Sequence, residues 1–253
     1  VGALFPGQGS QFLNLGRDLA LNFPPVRELH AKMDRRFMAE GERPLSEVVF
    51  PPPAFDEQTE REQRLALRAT DYAQAAIGVT SAGLFQILTR AGFDPDFTAG
   101  HSFGELSALW AGGVLDEETF LDLVKARGRA MAPPEGASEQ DAGTMLAVTG
   151  PLSEIEEAVA AMDDVVIANQ NSPSQVVLAG TTAAIEAASD ALPKQGFEVR
   201  ALPVSAAFHT RLVGHASKPF AEAIEQVDFE PRCVPVYSNT TGERYPEDPG
   251  DAK

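Results

Sequence analysis

The stretch Gly100-His101-Ser102-Phe103-Gly104 constrains what this chain can fold into more than any other. It follows the extended-looking run Phe97-Thr98-Ala99 and precedes the helix-like Glu105-Leu106-Ser107-Ala108-Leu109-Trp110. Strand, sharp turn and helix is the setting in which G-x-S-x-G forms a nucleophile elbow. The flanking glycines allow a tight turn and leave the Ser102 hydroxyl exposed at the helix start. There the backbone N–H of Phe103 can face a developing oxyanion. The alternative is an ordinary turn serine between two glycines, and the pentapeptide alone leaves both readings open.

Around it, strand-like runs alternate with helical ones, the pattern of a mainly parallel sheet covered by helices. The extended run Val1–Phe5 leads into a glycine-rich loop, Phe5-Pro6-Gly7-Gln8-Gly9-Ser10-Gln11. Residues 40–64 are polar, carry Pro51-Pro52-Pro53 and read as an irregular surface segment. Asp71 to Ala91 reads as a long, mostly buried helix, stopped by Gly92, Asp94 and Pro95. Asp116-Glu117-Glu118 places negative charge at the start of a further helix, where the helix dipole favours it.

Pro133 to Gly143 reads as a linker, and a compact unit follows it. Thr144–Val148 is strand-like and Leu152–Met162 helical. Val165–Ala168 and Gln175–Ala179 are strands separated by the turn Asn171-Ser172-Pro173. Thr182–Lys194 is a helix ended by Gly196, and Phe197–Val204 is a last strand. The order β-α-β-β-α-β predicts a ferredoxin-like unit inserted into a larger domain that resumes around Phe208. The 253 residues allow one large α/β domain plus one small one, and 43% hydrophobic content supplies a core.

The formal net charge of −17 argues against nucleic-acid or anionic-membrane partners, since phosphate contact needs a basic face. No apolar run reaches bilayer-spanning length, and no basic-then-apolar leader opens the chain. It begins directly on a strand, as a domain cut from a longer protein would. A single cysteine, Cys233, excludes an internal disulfide and fits a reducing cytosol, so a cytoplasmic location is expected. No metal site is expected.

A serine hydroxyl needs a base within hydrogen-bond reach. Of the four histidines, His30 lies in a polar helix and reads as solvated, and His215 lies in a polar stretch. His101 adjoins the serine, but neighbours on a tight turn point apart. His209 directly follows the last strand of the inserted unit, at a junction where a cleft wall is plausible; a structural histidine is the alternative. On the helix from Asp116, Phe120, Leu123, Val124 and Met131 share one face, and Arg127 lies within that stripe. Lys125 and Arg129 are expected to project from the opposite side. A cation on a core-facing stripe needs an anionic partner. That partner is either an internal carboxylate or a substrate carboxylate held bidentately. Gly7-Gln8-Gly9 fails as a dinucleotide fingerprint because Phe12 replaces the last glycine of G-x-G-x-x-G. Such a loop can instead aim a backbone N–H at an oxyanion.

Phe5-Pro6-Gly7-Gln8-Gly9-Ser10-Gln11, the Gly-His-Ser-Phe-Gly-Glu elbow, Arg127-Gly128, Asn171-Ser172-Pro173 and Ala207-Phe208-His209 occur in that order. With these motifs the chain, from residue 1 to about 242, resembles the malonyl-CoA:acyl carrier protein transacylases, the acyltransferase domains of fatty acid and polyketide synthases. Around the elbow it is most similar to iterative synthases of the polyunsaturated fatty acid or enediyne kind. The resemblance implies an α/β fold. An α/β-hydrolase-like large subdomain with a parallel sheet would span 1–136 and 207–253, and a ferredoxin-like small subdomain 137–206. It implies Ser102 as nucleophile, His209 as general base and then acid, and the N–H groups of Gln8 and Phe103 as oxyanion hole. Arg127 would pair with the malonyl carboxylate, with Gln74, His101 and Asn171 lining the site. Phe208 resembles the malonyl-selecting members. No cofactor would be permanently bound: a coenzyme A thioester is the donor, and the phosphopantetheine thiol of an acyl carrier protein the acceptor. Adjoining domains such as a ketosynthase are the other implied partners. In the family a further segment follows Ser238-Asn239-Thr240-Thr241-Gly242 and supplies a carbonyl that orients the base. A serine hydrolase or thioesterase shares the elbow but gives no reason for Arg127. A non-catalytic docking module gives no reason to keep Ser102, His209 and Arg127 together.

Overall fold

The computed structural model describes residues 1–132, 141–202, 204 and 206–253. In chain order the elements are β1 (Gly2–Phe5), α1 (Arg17–Asn22), α2 (Pro24–Ala39), α3 (Leu45–Val49), α4 (Glu57–Arg68) and α5 (Thr70–Arg90). Then come β2 (Phe97–Gly100), α6 (Gly104–Ala111), α7 (Glu117–Ala130), β3 (Thr144–Thr149), α8 (Leu152–Ala160) and β4 (Val165–Ser172). The chain ends with β5 (Gln175–Gly180), α9 (Thr182–Ala191), β6 (Glu198–Ala201), α10 (Ser217–Glu225), β7 (Val236–Tyr237) and α11 (Pro249–Ala252). Two compact units result, one of Val1–Ala130 with Lys218–Lys253, the other of Met131–Ser217.

The first unit is built on a parallel sheet in the order β1-β2-β7, with Phe5 opposite Gly100 and Ala99 opposite Tyr237. Parallel strands need crossovers, and here helices supply them. The axis of the core is α5, in which residues 73–83 are all buried. Gly83 lies so close to α2 that a Cβ would stand 2.7 Å from the Val26 side chain. Phe37, Phe103 and Phe120 pack around it, each fully buried. Residues 40–64, expected to be irregular, instead carry α3 and the start of α4. The prolines only separate the two helices. Asp56 caps α4 by accepting from the Thr59 N–H at 2.7 Å, and Leu67 is its buried anchor. The polar composition marks a solvated helix face here, not a loop.

The second unit has the antiparallel sheet order β4-β5-β3-β6, with α8 and α9 in the connections, the ferredoxin-like arrangement. Its own core joins Leu146, Val148, Ile155, Val176, Leu178 and Ile185. Strand β4 runs on to Ser172 through two irregularities, so the predicted turn shrinks to Pro173-Ser174. The expected return to the large domain at 207 comes later: residues 207–217 group with the second unit. The Ala207 N–H donates to Ala142 O at 2.9 Å, which ties that segment to the start of β3. The linker residues Pro133-Pro134-Glu135-Gly136 lie outside the described residues, as does Ser205.

Candidate active site

Three parallel strands end at one edge of the first sheet, where open α/β sheets bind their ligands. β1 ends in the Gly7 loop, β2 in the elbow and β7 in Ser238-Asn239. The His101 N–H donates to Phe5 O at 2.9 Å, the last rung between the first two. Beyond it the chain turns sharply. Ser102 sits at φ 51°, a left-handed conformation that costs a non-glycine residue about 1–3 kcal/mol. The glycines around it are required by contact: a Cβ on Gly100 would lie 2.0 Å from Gly104 carbonyl atoms, and one on Gly104 2.3 Å from Phe5 O. The turn closes as Gly104 N–H donates to His101 O at 2.9 Å and Glu105 N–H to Ser102 O at 3.1 Å. This is the strand–turn–helix elbow that the sequence predicts.

The glycine-rich loop lies directly against it. A Cβ on Gly7 would come within 2.5 Å of His101 O and 2.8 Å of the His101 imidazole. Gln74, fully buried on α5, donates from Nε2 to Gln8 Oε1 at 3.1 Å and so fixes the loop from below. One turn further along α5, Gly78 leaves room for the Phe103 ring, which is completely buried. Among the described residues, the backbone N–H groups of Gln8 and Phe103 meet no intramolecular acceptor.

Arg127 stands with its guanidinium 5.9 Å from the centre of that Phe103 ring. Phe120, Leu123 and Val124 of its stripe are buried, and Arg127 is half-buried. Burial pushes its pKa down to about 10, opposed only by the charge of Glu105. Among the described residues it makes no ion pair. The internal salt bridge that would have made it structural is not found there. Lys125 and Arg129 do not project together from an opposite face as expected. Lys125 is 6% exposed and packs on Phe37, 3.0 Å from Glu40 and 3.1 Å from Glu42. The helix is buried on two faces because α2 covers the second. His30, read as solvated, is likewise buried in α2 against the Phe50 ring, with its pKa lowered to about 4 by desolvation.

The structure thus brings Gln8, Gln74, His101, Ser102, Phe103 and Arg127 into one connected set within the first unit. His209, Phe208 and Asn171 belong to the second. Phe208 is buried, and His209 is exposed at φ 62°, left-handed like Ser102. Thr210 Oγ1 holds that turn by donating to Ala207 O at 2.7 Å. Asn171 lies exposed near the end of β4. His215 approaches Ala132 O at 3.1 Å through Nε2. The sequence reading missed Asn239 and Tyr245, both in contact with elbow residues. The available signal was position: Asn239 follows a strand parallel to β2 and therefore ends beside the serine.

A family described as acyl transferase domain matches residues 4–251. This chain belongs to that family. It is 34% identical over 96% of its length to a malonyl CoA-acyl carrier protein transacylase of Bacillus subtilis, covering 73% of that protein. It is also 34% identical over 99% of its length to a polyunsaturated fatty acid synthase polypeptide of a Thraustochytrium species, but spans only 9% of that much longer chain. A solved malonyl-transacylase in complex with a type II polyketide synthase acyl-carrier protein superposes with a TM-score of 0.81. It is 30% identical, and the match covers 98% of this chain and 77% of that one. The acyltransferase fold, with its parallel sheet and second sheet, is therefore shared. Among the described residues no helix is long and apolar enough to cross a membrane, and no cluster of His, Cys, Asp or Glu could hold a metal ion.

Proposed function

We propose that this acyltransferase domain moves a malonyl group from coenzyme A to the phosphopantetheine thiol of an acyl carrier protein. It does so through an ester on Ser102. In the first half-reaction the Ser102 hydroxyl adds to the thioester carbonyl while His209 takes its proton. The carbonyl oxygen, now negative, accepts from the Gln8 and Phe103 N–H groups. Collapse breaks the C–S bond, and His209 returns the proton to the departing coenzyme A thiol. The second half-reaction reverses the roles, with the carrier thiol giving its proton to His209 and attacking the seryl ester. Preorganised donors of this kind contribute about 3–4 kcal/mol each to such transition states. No permanently bound cofactor takes part.

The observation that carries the malonyl assignment is Arg127. A half-buried guanidinium beside the elbow phenylalanine, without an ion pair among the described residues, has the charge and geometry to hold the free carboxylate of a diacid. Phe208 is assigned to crowding an α-methyl branch, and Gln74, His101 and Asn171 to lining the acyl site. Relatives that are parts of large synthases favour a place among neighbouring domains such as a ketosynthase, in the cytoplasm.

Incubation with malonyl-CoA followed by intact-protein mass spectrometry tests the core of this reading. The wild-type domain should gain one malonyl group and pass it to a carrier protein, and Ser102→Ala should gain none. His209→Ala should acylate about 10²–10⁴ times more slowly. Release of malonate to water without transfer would point to a thioesterase, and a wild-type chain that never acylates to a docking module.

A further inference from the structure

The left-handed backbone of Ser102 must be held by its surroundings, because such a conformation persists only where neighbouring groups over-determine it. Helix α6 holds one side through the Glu105 N–H on Ser102 O. The other side is met by an exposed residue, Asn239, just past the neighbouring strand β7. Asn239 Oδ1 accepts from the Ser102 N–H at 3.2 Å, and Asn239 Nδ2 donates to Gly100 O. Both peptide groups before the nucleophile are thus gripped by one carboxamide, whose paired donor and acceptor suit that task.

Asn239 is in turn fixed to the elbow it holds. Its own N–H donates to Glu105 Oε1 at 2.9 Å, and the same oxygen accepts from the Tyr245 hydroxyl at 2.8 Å. Burial, then the adjacent Glu105 charge, raise the Tyr245 phenol above its ordinary pKa, so it stays a donor at neutral pH. The bonds form a closed circuit: elbow, Asn239, Glu105 and the first turn of α6.

We propose that Asn239 is a positioning residue for the acyl-transfer reaction, holding the two peptide planes that lead into Ser102 and so setting the direction of its hydroxyl, while α6 holds the plane that carries the Phe103 N–H. The inference rests on Ser102 being the nucleophile. The side-chain and backbone bonds of Asn239 go to Ser102, Gly100 and Glu105 and not to Arg127, so its loss should act on the chemical step and spare donor binding. A misplacement of about 1 Å costs on the order of 10²-fold in rate.

The test is pre-steady-state acylation of the whole domain by malonyl-CoA, with Ser102→Ala as control. Asn239→Ala should slow acylation by roughly 10–100-fold with KM for malonyl-CoA nearly unchanged. Asn239→Asp keeps the acceptor for Ser102 N–H but sets a carboxylate oxygen against Gly100 O. Protonation restores the missing donor. The rate of the Asp variant relative to wild type should therefore rise as pH is lowered from about 7.5 to about 5. A purely structural role would leave that ratio flat. The inference is overturned by wild-type acylation in Asn239→Ala, by a loss carried in KM, or by a flat ratio. If Asn239→Ala does not fold, the Asp ratio alone decides. Acylation of Ser102→Ala would instead overturn the nucleophile assignment on which the inference rests.

Discussion

Of the three cations on helix α7, Lys125 and Arg127 stand two residues apart, and their surroundings could hardly differ more. Lys125 is out of water and saturated: two carboxylates, the Arg36 carbonyl at 2.8 Å and the Phe37 ring all meet its ammonium. Arg127 is half-buried and, among the described residues, has the Phe103 ring beside it and Glu105 acting at longer range, with no ion pair. Placing a charge in low dielectric costs several kcal/mol unless partners offset it. For Lys125 the partners are internal, so its work is to fasten α7 to α2. For Arg127 the proposed offset is the carboxylate of a ligand. His30 supplies a third case, in which burial is relieved by giving up the charge: the ring is neutral and lies 4.9 Å from Phe50. Burial of a titratable group does not mark a site. Burial with the charge kept and no ion pair among the described residues is what supports the reading proposed for Arg127.

The widest break in this contrast should come from Arg127→Ala. Removing one member of a desolvated charge pair costs about 2–5 kcal/mol, so kcat/KM for malonyl transfer should fall by roughly 30- to 5,000-fold. Transfer from acetyl-CoA, which has no free carboxylate, should change by far less. Equal losses with the two donors would make Arg127 a packing residue like Lys125.

His30 should give the next largest effect, in stability and not in catalysis. Its folded pKa of about 4 lies below the ordinary 6.5. Above pH 6.5 the ring is neutral folded or unfolded, and its contribution is complete. Between those values the unfolded chain binds a proton that the folded chain refuses, so stability falls as pH falls. The nearby Asp34 opposes the shift without reversing it. The loss should reach roughly 2–3 kcal/mol by about pH 4.5. Urea unfolding of wild type and His30→Leu across this range isolates it. Parallel curves for the two proteins would mean that His30 is not the group that takes up the proton.

These three positions also measure how far the sequence could be read. The elbow was legible because its chemistry is local: strand, two glycines, serine and helix lie within fifteen residues, and steric contact at Gly100 and Gly104 leaves few alternatives. The β-α-β-β-α-β unit was legible by the change of hydrophobic period. Arg127 was legible as a charge on an apolar stripe. Lys125 was not, because the face it occupies becomes buried only when α2 arrives from ninety residues away, carrying Glu40 at its end. His30 was misread for the same reason, since Phe50 lies twenty residues downstream, past a proline-marked break. Asn239 could not be found from its own neighbours at all. Its meaning comes from β7 lying parallel to β2, a pairing of residues that the whole second unit separates in sequence.

The smallest effects test the saturated side of the helix. Lys125→Met leaves Glu40 and Glu42 facing each other across an apolar side chain, but these carboxylates are 39% and 31% exposed. Water therefore screens much of the penalty, and the loss should be roughly 1–3 kcal/mol. Arg129 also reaches Glu40, yet its side chain is 65% exposed, so Arg129→Ala should cost less than about 1 kcal/mol. Because both cations share Glu40, the double variant should depart from additivity, whereas either change combined with Arg127→Ala should add. Neither should alter the ratio of malonyl to acetyl transfer. A shift in that ratio from Lys125→Met would show that the two faces of α7 are coupled, and the separation of a structural cation from a ligand-binding one would fail.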